Sequence, residues 1–152
     1  MTSLARPIRT AFSALNAVPY DVIALVARTA TFSVFIRSGL QKLSDWNATL
    51  MLFQNEYHTP LLPPVVAAYM AATLELCCSS LVLVGLLTRV STLLLLGMTA
   101  TIQLFIYPSA WPTHIQWLAF MLILVLRGPG RLSLDTLIGP RLLAARSPAV
   151  AL

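Results

Sequence analysis

Charge is what this chain has least of. Ten basic and five acidic residues stand among 152, so 10% are charged, against about a quarter in an ordinary soluble domain. That scarcity excludes a water-covered globular surface. Cysteine is nearly absent as well: Cys77 and Cys78 are adjacent, and neither C-x-x-C nor zinc-site spacing occurs. Neighbouring helical positions point about 100° apart, which suits two small packing residues better than a bridge. There are two histidines, and they are not paired within an apolar run. The haem, iron–sulfur and flavin signatures are missing, as are G-x-x-x-x-G-K-[ST] and G-x-G-x-x-G. The basic excess does not point to nucleic acid, because its residues flank apolar runs and no aromatic-rich soluble module carries them.

What is abundant is apolar sequence, 58% of the chain. Four segments fall out, at about 20–43, 64–87, 90–107 and 112–127. The expected fold is therefore all-α, a four-helix integral membrane bundle forming a single domain over 1–152, with tails at 1–19 and 128–152. The last two segments are short for a bilayer, roughly 27 and 24 Å. Arg6 and Arg9 precede the first segment, Arg89 lies between the second and third, and Arg127, Arg131, Arg141 and Arg146 close the fourth or follow it. On the other side Lys42 is the lone basic residue, beside Asp45, Glu56 and His58. The positive-inside rule then puts both termini in the cytoplasm. The first helix reads as an anchor that stays, since no clear A-x-A site follows it. The lead before it could form an interfacial helix.

The second segment, PVVAAYMAATLELCCSSLVLVGLL, holds one charge, Glu75, near its middle. It would be roughly 36 Å long. A carboxylate at that depth is costly and must face protein or a wet cavity. Ala68, Ala71, Ala72, Cys78, Ser79 and Val82 share its face, a small-residue seam that lets helices approach closely. Two readings stand together: an acid fixing helix packing by pairing with an intramembrane arginine, and an acid that handles a proton or a ligand.

The first segment supplies two such arginines. Arg28 and Arg37 are nine residues apart, hence on opposite faces, with Phe35 and Gly39 on the Arg28 side. Either could pair with Glu75 while the other snorkels or lines a pocket. The third segment carries a polar stripe of Thr92, Thr99, Gln103 and Tyr107, which suits interhelical hydrogen bonding. Arg37, Glu75, Gln103 and Tyr107 could instead converge on a small polar cavity opening outward. His114, Gln116, Trp111 and Trp117 cluster where the fourth segment begins. His58, His114 and Glu56 could meet a metal on that side, but their spacing makes no motif, and both histidines suit a wet interface. The long loop before the second segment is expected to hold a short helix capped by Asp45 or Asn47. After Gly128-Pro129-Gly130, Ser133 reads as the N-cap of a last short helix with Asp135 in its first turn.

Three stretches carry a resemblance. They are Arg28 followed by FIRSGLQKL at Phe35–Leu43, Glu75 followed by LVLVGLLTR at Leu81–Arg89, and RGPGRLSLD at Arg127–Asp135. Their order and spacing resemble the DoxX family of small bacterial four-helix membrane proteins, related to the DoxD subunit of thiosulfate:quinone oxidoreductase. FQNEYHTPLLPP, QLFIYPSAWPTH and RGPGRLSLD are similar to a subgroup found near copper- or metal-responsive peptide-modifying systems. The resemblance implies a multi-pass protein of the bacterial inner membrane that serves redox work with partner proteins and could bind quinone. It supplies no established catalytic residues. Taken with the residues, it gives an expected accessory redox subunit with Glu75 as the acting acid. Arg28, Arg37, Gln103, Tyr107 and His114 are its candidate ligand-binding groups, with no metal. The alternatives are a non-catalytic membrane anchor for a partner and a metal-handling or transport protein.

Overall fold

The computed structural model describes residues 5–57, 59 and 62–145. His58 and Arg146 lie outside the described residues, so the expectations placed on them have no structural counterpart. The helices are α1 (Ala5–Asn16), α2 (Tyr20–Ser44), α3 (Trp46–Asn55), α4 (Pro64–Val84), α5 (Thr88–Ile106), α6 (Pro108–Arg127) and α7 (Leu134–Ala145). No strand occurs among the described residues.

Four of these are long and apolar enough to cross a membrane: α2, α4, α5 and α6, of 25, 21, 19 and 20 residues. Proline starts three of them, since a ring at the first turn loses no helical hydrogen bond: Pro19 stands before α2, Pro64 opens α4 and Pro108 opens α6. The third and fourth spans are longer than the sequence suggested. α5 begins two residues earlier, at Thr88, and α6 takes in the turn from Pro108 to Ala110.

α2 packs on α4 and α6, and α5 packs on the same two, so α2 and α5 face each other diagonally. The shared interior holds Ala27, Phe35, Cys78, Val82, Leu95, Met121 and Leu124. The small-residue seam of α4 holds: Ala68, Ala72, Cys78, Ser79 and Val82 are all buried against neighbours. Val26, Leu40, Leu93, Leu104 and Leu126 are exposed on the outside, as lipid-facing side chains would be. The two threonines of the α5 stripe behave differently from expectation. Thr92 and Thr99 are buried, but their hydroxyls donate to Thr88 O and Leu95 O of their own helix, at 2.6 and 2.8 Å. Such a bond satisfies the hydroxyl with no partner on another helix.

The end where α2 begins and α6 finishes, here the base, is tied by polar contacts to backbone. Tyr20 OH donates to Gly128 O at 2.6 Å, and Asp21 Oδ1 accepts from Arg131 N at 2.6 Å. Arg28 is 3% exposed, and its guanidinium donates to the carbonyls of Val82 (2.9 Å), Leu83 and Leu132 (2.5 Å). It thus joins α2 to the last turn of α4 and to the loop before α7. Gly85 ends α4 at φ +73°, and a Cβ there would lie 2.5 Å from Ser133 Cβ and 3.0 Å from the Arg28 guanidinium. Only glycine meets both demands. Asp135 accepts from Leu87 N at 2.7 Å and Thr88 N at 3.0 Å, capping α5 from outside its own sequence neighbourhood. Ser133 also acts as expected, with Oγ accepting from Thr136 N at 3.3 Å.

Candidate functional site

The opposite end, the mouth, holds a cavity of about 380 Å³. That is within the range of small-ligand pockets, roughly 300–1,000 Å³. Most of its wall is apolar, including Phe35, Met70, Leu74, Met98, Ile102 and Trp117. A few polar groups break that wall: Ser38, Lys42, Glu75, Tyr107 and His114.

Glu75 is 3% exposed and sits in a widened turn of α4, Leu74–Cys78. A second widened turn, Ile102–Ile106, ends α5 on the same cavity. Such π-turns displace one residue from the regular ladder and recur at functional sites. Two of them, on different helices, border one hollow. The approach of α2 to Glu75 depends on Gly39, where a Cβ would lie 2.8 Å from the Leu76 side chain and 3.2 Å from Glu75 Cβ.

The cation facing Glu75 is neither arginine. Lys42 Nζ lies 2.8 Å from Oε1 and 2.8 Å from Oε2, and also donates to Ser38 Oγ at 2.9 Å. Ser38 in turn donates to Glu75 Oε1 at 3.1 Å. The expected Arg–Glu clamp is therefore corrected on both sides. Arg28 spends its donors on backbone carbonyls at the base. Arg37 is exposed and does not line the cavity, because Val34, Phe35, Ser38 and Lys42 hold the inward face of α2. Lys42 was legible as a flanking charge; its place four residues after Ser38, on the helix face marked by Gly39, was the available sign of a second role.

His114 is 6% exposed rather than wet, with its ring 5.0 Å from that of Trp117. Its Nδ1 is 2.7 Å from Gln103 Oε1, while Gln103 Nε2 donates to Pro108 O at 2.7 Å. Pro108 O can only accept, so the amide nitrogen faces it and Gln103 Oε1 faces the imidazole. His114 Nδ1 is then the donor, and Nε2 is left for another partner. Gln103 thus stands behind His114 and does not itself line the cavity. Tyr107 donates to Glu56 Oε1 at 2.6 Å. That bond to a carboxylate, with burial adding to it, holds the phenol protonated well above the usual range.

α3 closes over this end. Asp45 Oδ1 caps it by accepting from Ala48 N at 2.9 Å. Phe53 and Tyr57 carry a chain of edge-on rings to Tyr107, with centroids 4.9 and 5.7 Å apart. No group of three or more metal-ligating side chains occurs among the described residues.

No curated protein and no solved structure matches this chain. The DoxX family model matches residues 23–108, more than half of the sequence and nearly all of the cavity wall, leaving His114 and Trp117 beyond it. With four apolar helices of spanning length and that match, the chain belongs to the DoxX family and is a multi-pass membrane protein.

Proposed function

We propose that the mouth cavity binds a quinone-type ligand and that the chain is an accessory subunit of a membrane redox system. The observation that carries this reading is the Lys42–Glu75 ion pair set in the wall of an otherwise apolar hollow. Ions in the apolar interior of a membrane protein are costly to bury and mark ligand or proton pathways. The residues present fit such a ligand. Phe35 and Trp117, packed edge-on with centroids 5.6 Å apart, give an aromatic stretch of wall for a flat ring to lie against. Lys42, His114 and Tyr107 place an ammonium, an imidazole nitrogen and a phenol oxygen at the wall. A quinone has two carbonyl acceptors on a flat ring and takes up protons with electrons when reduced. Lys42 would exchange its bond to Ser38 for one to a carbonyl oxygen, and Glu75 would hold or pass the proton. The electrons come from a partner protein in the membrane complex.

The orientation follows from charge. Arg9, Arg89, Arg127 and Arg131 sit at or beyond the base, while the lysine at the mouth is neutralised by Glu75. The positive-inside rule then places the base and both termini in the cytoplasm of a bacterial cell, with the mouth outside the inner membrane. A second reading, a non-catalytic anchor for a partner, draws on the completeness of the ion pair: the ammonium of Lys42 has three acceptors of its own protein.

Titration with a short-tailed benzoquinone separates the two. The redox reading expects saturable quenching of Trp117 fluorescence, absent in Trp117→Phe and weakened at least tenfold in Glu75→Gln. Quenching that rises linearly without saturation, alike in all three proteins, contradicts it.

A further inference from the structure

The base carries a second hollow, which the redox reading does not use. It is an open cleft of about 800 Å³ between the starts of α2 and α5 and the Arg127–Thr136 stretch. Three guanidinium groups line it: Arg89, Arg127 and Arg131. Arg127 lies over the Tyr20 ring at 4.4 Å, and Arg89 reaches Leu126 O at 3.5 Å. Two carboxylates share the wall, but each is turned onto backbone amides, Asp21 onto Arg131 N and Asp135 onto Leu87 N and Thr88 N. No ion pair joins Arg89, Arg127 or Arg131 to a carboxylate among the described residues.

We infer that this cleft binds the phosphate of an anionic phospholipid. Arginine matches phosphate oxygens with paired donors, and clusters of basic residues between membrane helices are suited to acidic headgroups. The apolar surroundings choose a lipid over a soluble phosphate. Leu87 and Val90 are exposed on the cleft wall, and Leu93 and Leu126 continue the apolar surface along the bundle, where acyl chains would lie. Pro19, at the cleft's edge, leads back to α1, whose exposed Phe12 and Leu15 beside Arg9 suit an interfacial helix. The inference is independent of the quinone reading, since it involves the other end of the bundle.

The test is electron paramagnetic resonance of spin-labelled phosphatidylglycerol, with spin-labelled phosphatidylcholine as reference, around the full-length protein in phosphatidylcholine vesicles. The expected result is a several-fold preference for phosphatidylglycerol in the motionally restricted fraction. It falls to near unity in Arg89→Gln/Arg131→Gln and persists in Arg37→Gln, which removes the same kind of charge from the face of α2 outside both hollows. Arg131→Gln alone, at an exposed loop position, gives a partial loss if the double variant does not fold. Inorganic phosphate lacks acyl chains, so it should lower the preference little beyond the effect of sodium chloride at equal ionic strength. Specific removal by phosphate would assign the cleft to a soluble anion and overturn the inference, as would equal losses in the Arg37→Gln protein.

Discussion

Lys42 and Glu75, on different helices, meet with Nζ 2.8 Å from both carboxylate oxygens, and their side chains are 17% and 4% exposed. The pair is the one place where α2 and α4 exchange full charges. A buried pair is a weak source of net stability, because desolvation offsets much of the attraction, but breaking it from one side leaves a stranded charge. Lys42→Met should therefore destabilise the protein by about 3–5 kcal/mol, and Lys42→Met/Glu75→Leu by far less. Unfolding in mild detergent over this double-mutant cycle measures the coupling. Additive effects of the two substitutions would show that the charges act independently.

Gly39 sets the distance between those helices. Gly39→Ala puts a methyl group 2.8 Å from the Leu76 side chain. Overpacking of this kind typically costs about 1–3 kcal/mol. A lower melting temperature is expected together with weaker quinone binding, because the shift moves α2 away from Glu75. Unchanged binding in Gly39→Ala would separate the cavity from this approach.

Asp135 is expected to serve folding and not the mouth. Asp135→Ala removes the acceptor from the Leu87 and Thr88 amides. The loss of such a cap costs about 0.5–2 kcal/mol. Thermal unfolding should shift downward while quinone affinity at the far end stays within twofold. A large affinity change would mean that the two ends are coupled.

Tyr107 gives a pH signature outside the spanning helices. Its folded phenol pKa is raised above the unfolded value of about 10 by the bond to Glu56 and by burial. The protonated form is thus favoured by folding, so its contribution is fully present below about pH 10 and declines as pH rises beyond it. Phenolate absorbance should show a late phase, and Tyr107→Phe should remove one tyrosine's amplitude from it. A Tyr107→Phe titration identical to wild type over the late phase contradicts the assignment.

Much of the scaffold was legible because it depends on neighbours in sequence. The four spans, the Asp45 and Ser133 caps and the small-residue seam of α4 follow from hydropathy, local side-chain bonds and a period of 3.6. What failed depended on how helices lie against one another. Arg28 and Arg37 were the candidates for Glu75, and Lys42 read only as a flanking charge; the register of α2 on α4 selects Lys42 instead. The bonds of Arg28 to Val82, Leu83 and Leu132 carbonyls have no sequence period to announce them. The threonines of α5 misled for the opposite reason: a local bond to Thr88 O or Leu95 O competes with the interhelical one that the stripe suggested. His114 and Gln103 were placed at one and the same end, but their mutual bond and the burial of the ring came from the turn at Pro108.

On the proposed reading, the Lys42–Glu75 cavity holds a quinone-type ligand. The most direct test is mass spectrometry of an organic extract from full-length protein purified in mild detergent, beside Glu75→Gln and Lys42→Met proteins of equal yield. Close to one quinone per wild-type chain is expected, with a large loss in both variants. No quinone in the wild type, or equal amounts in all three, would contradict it.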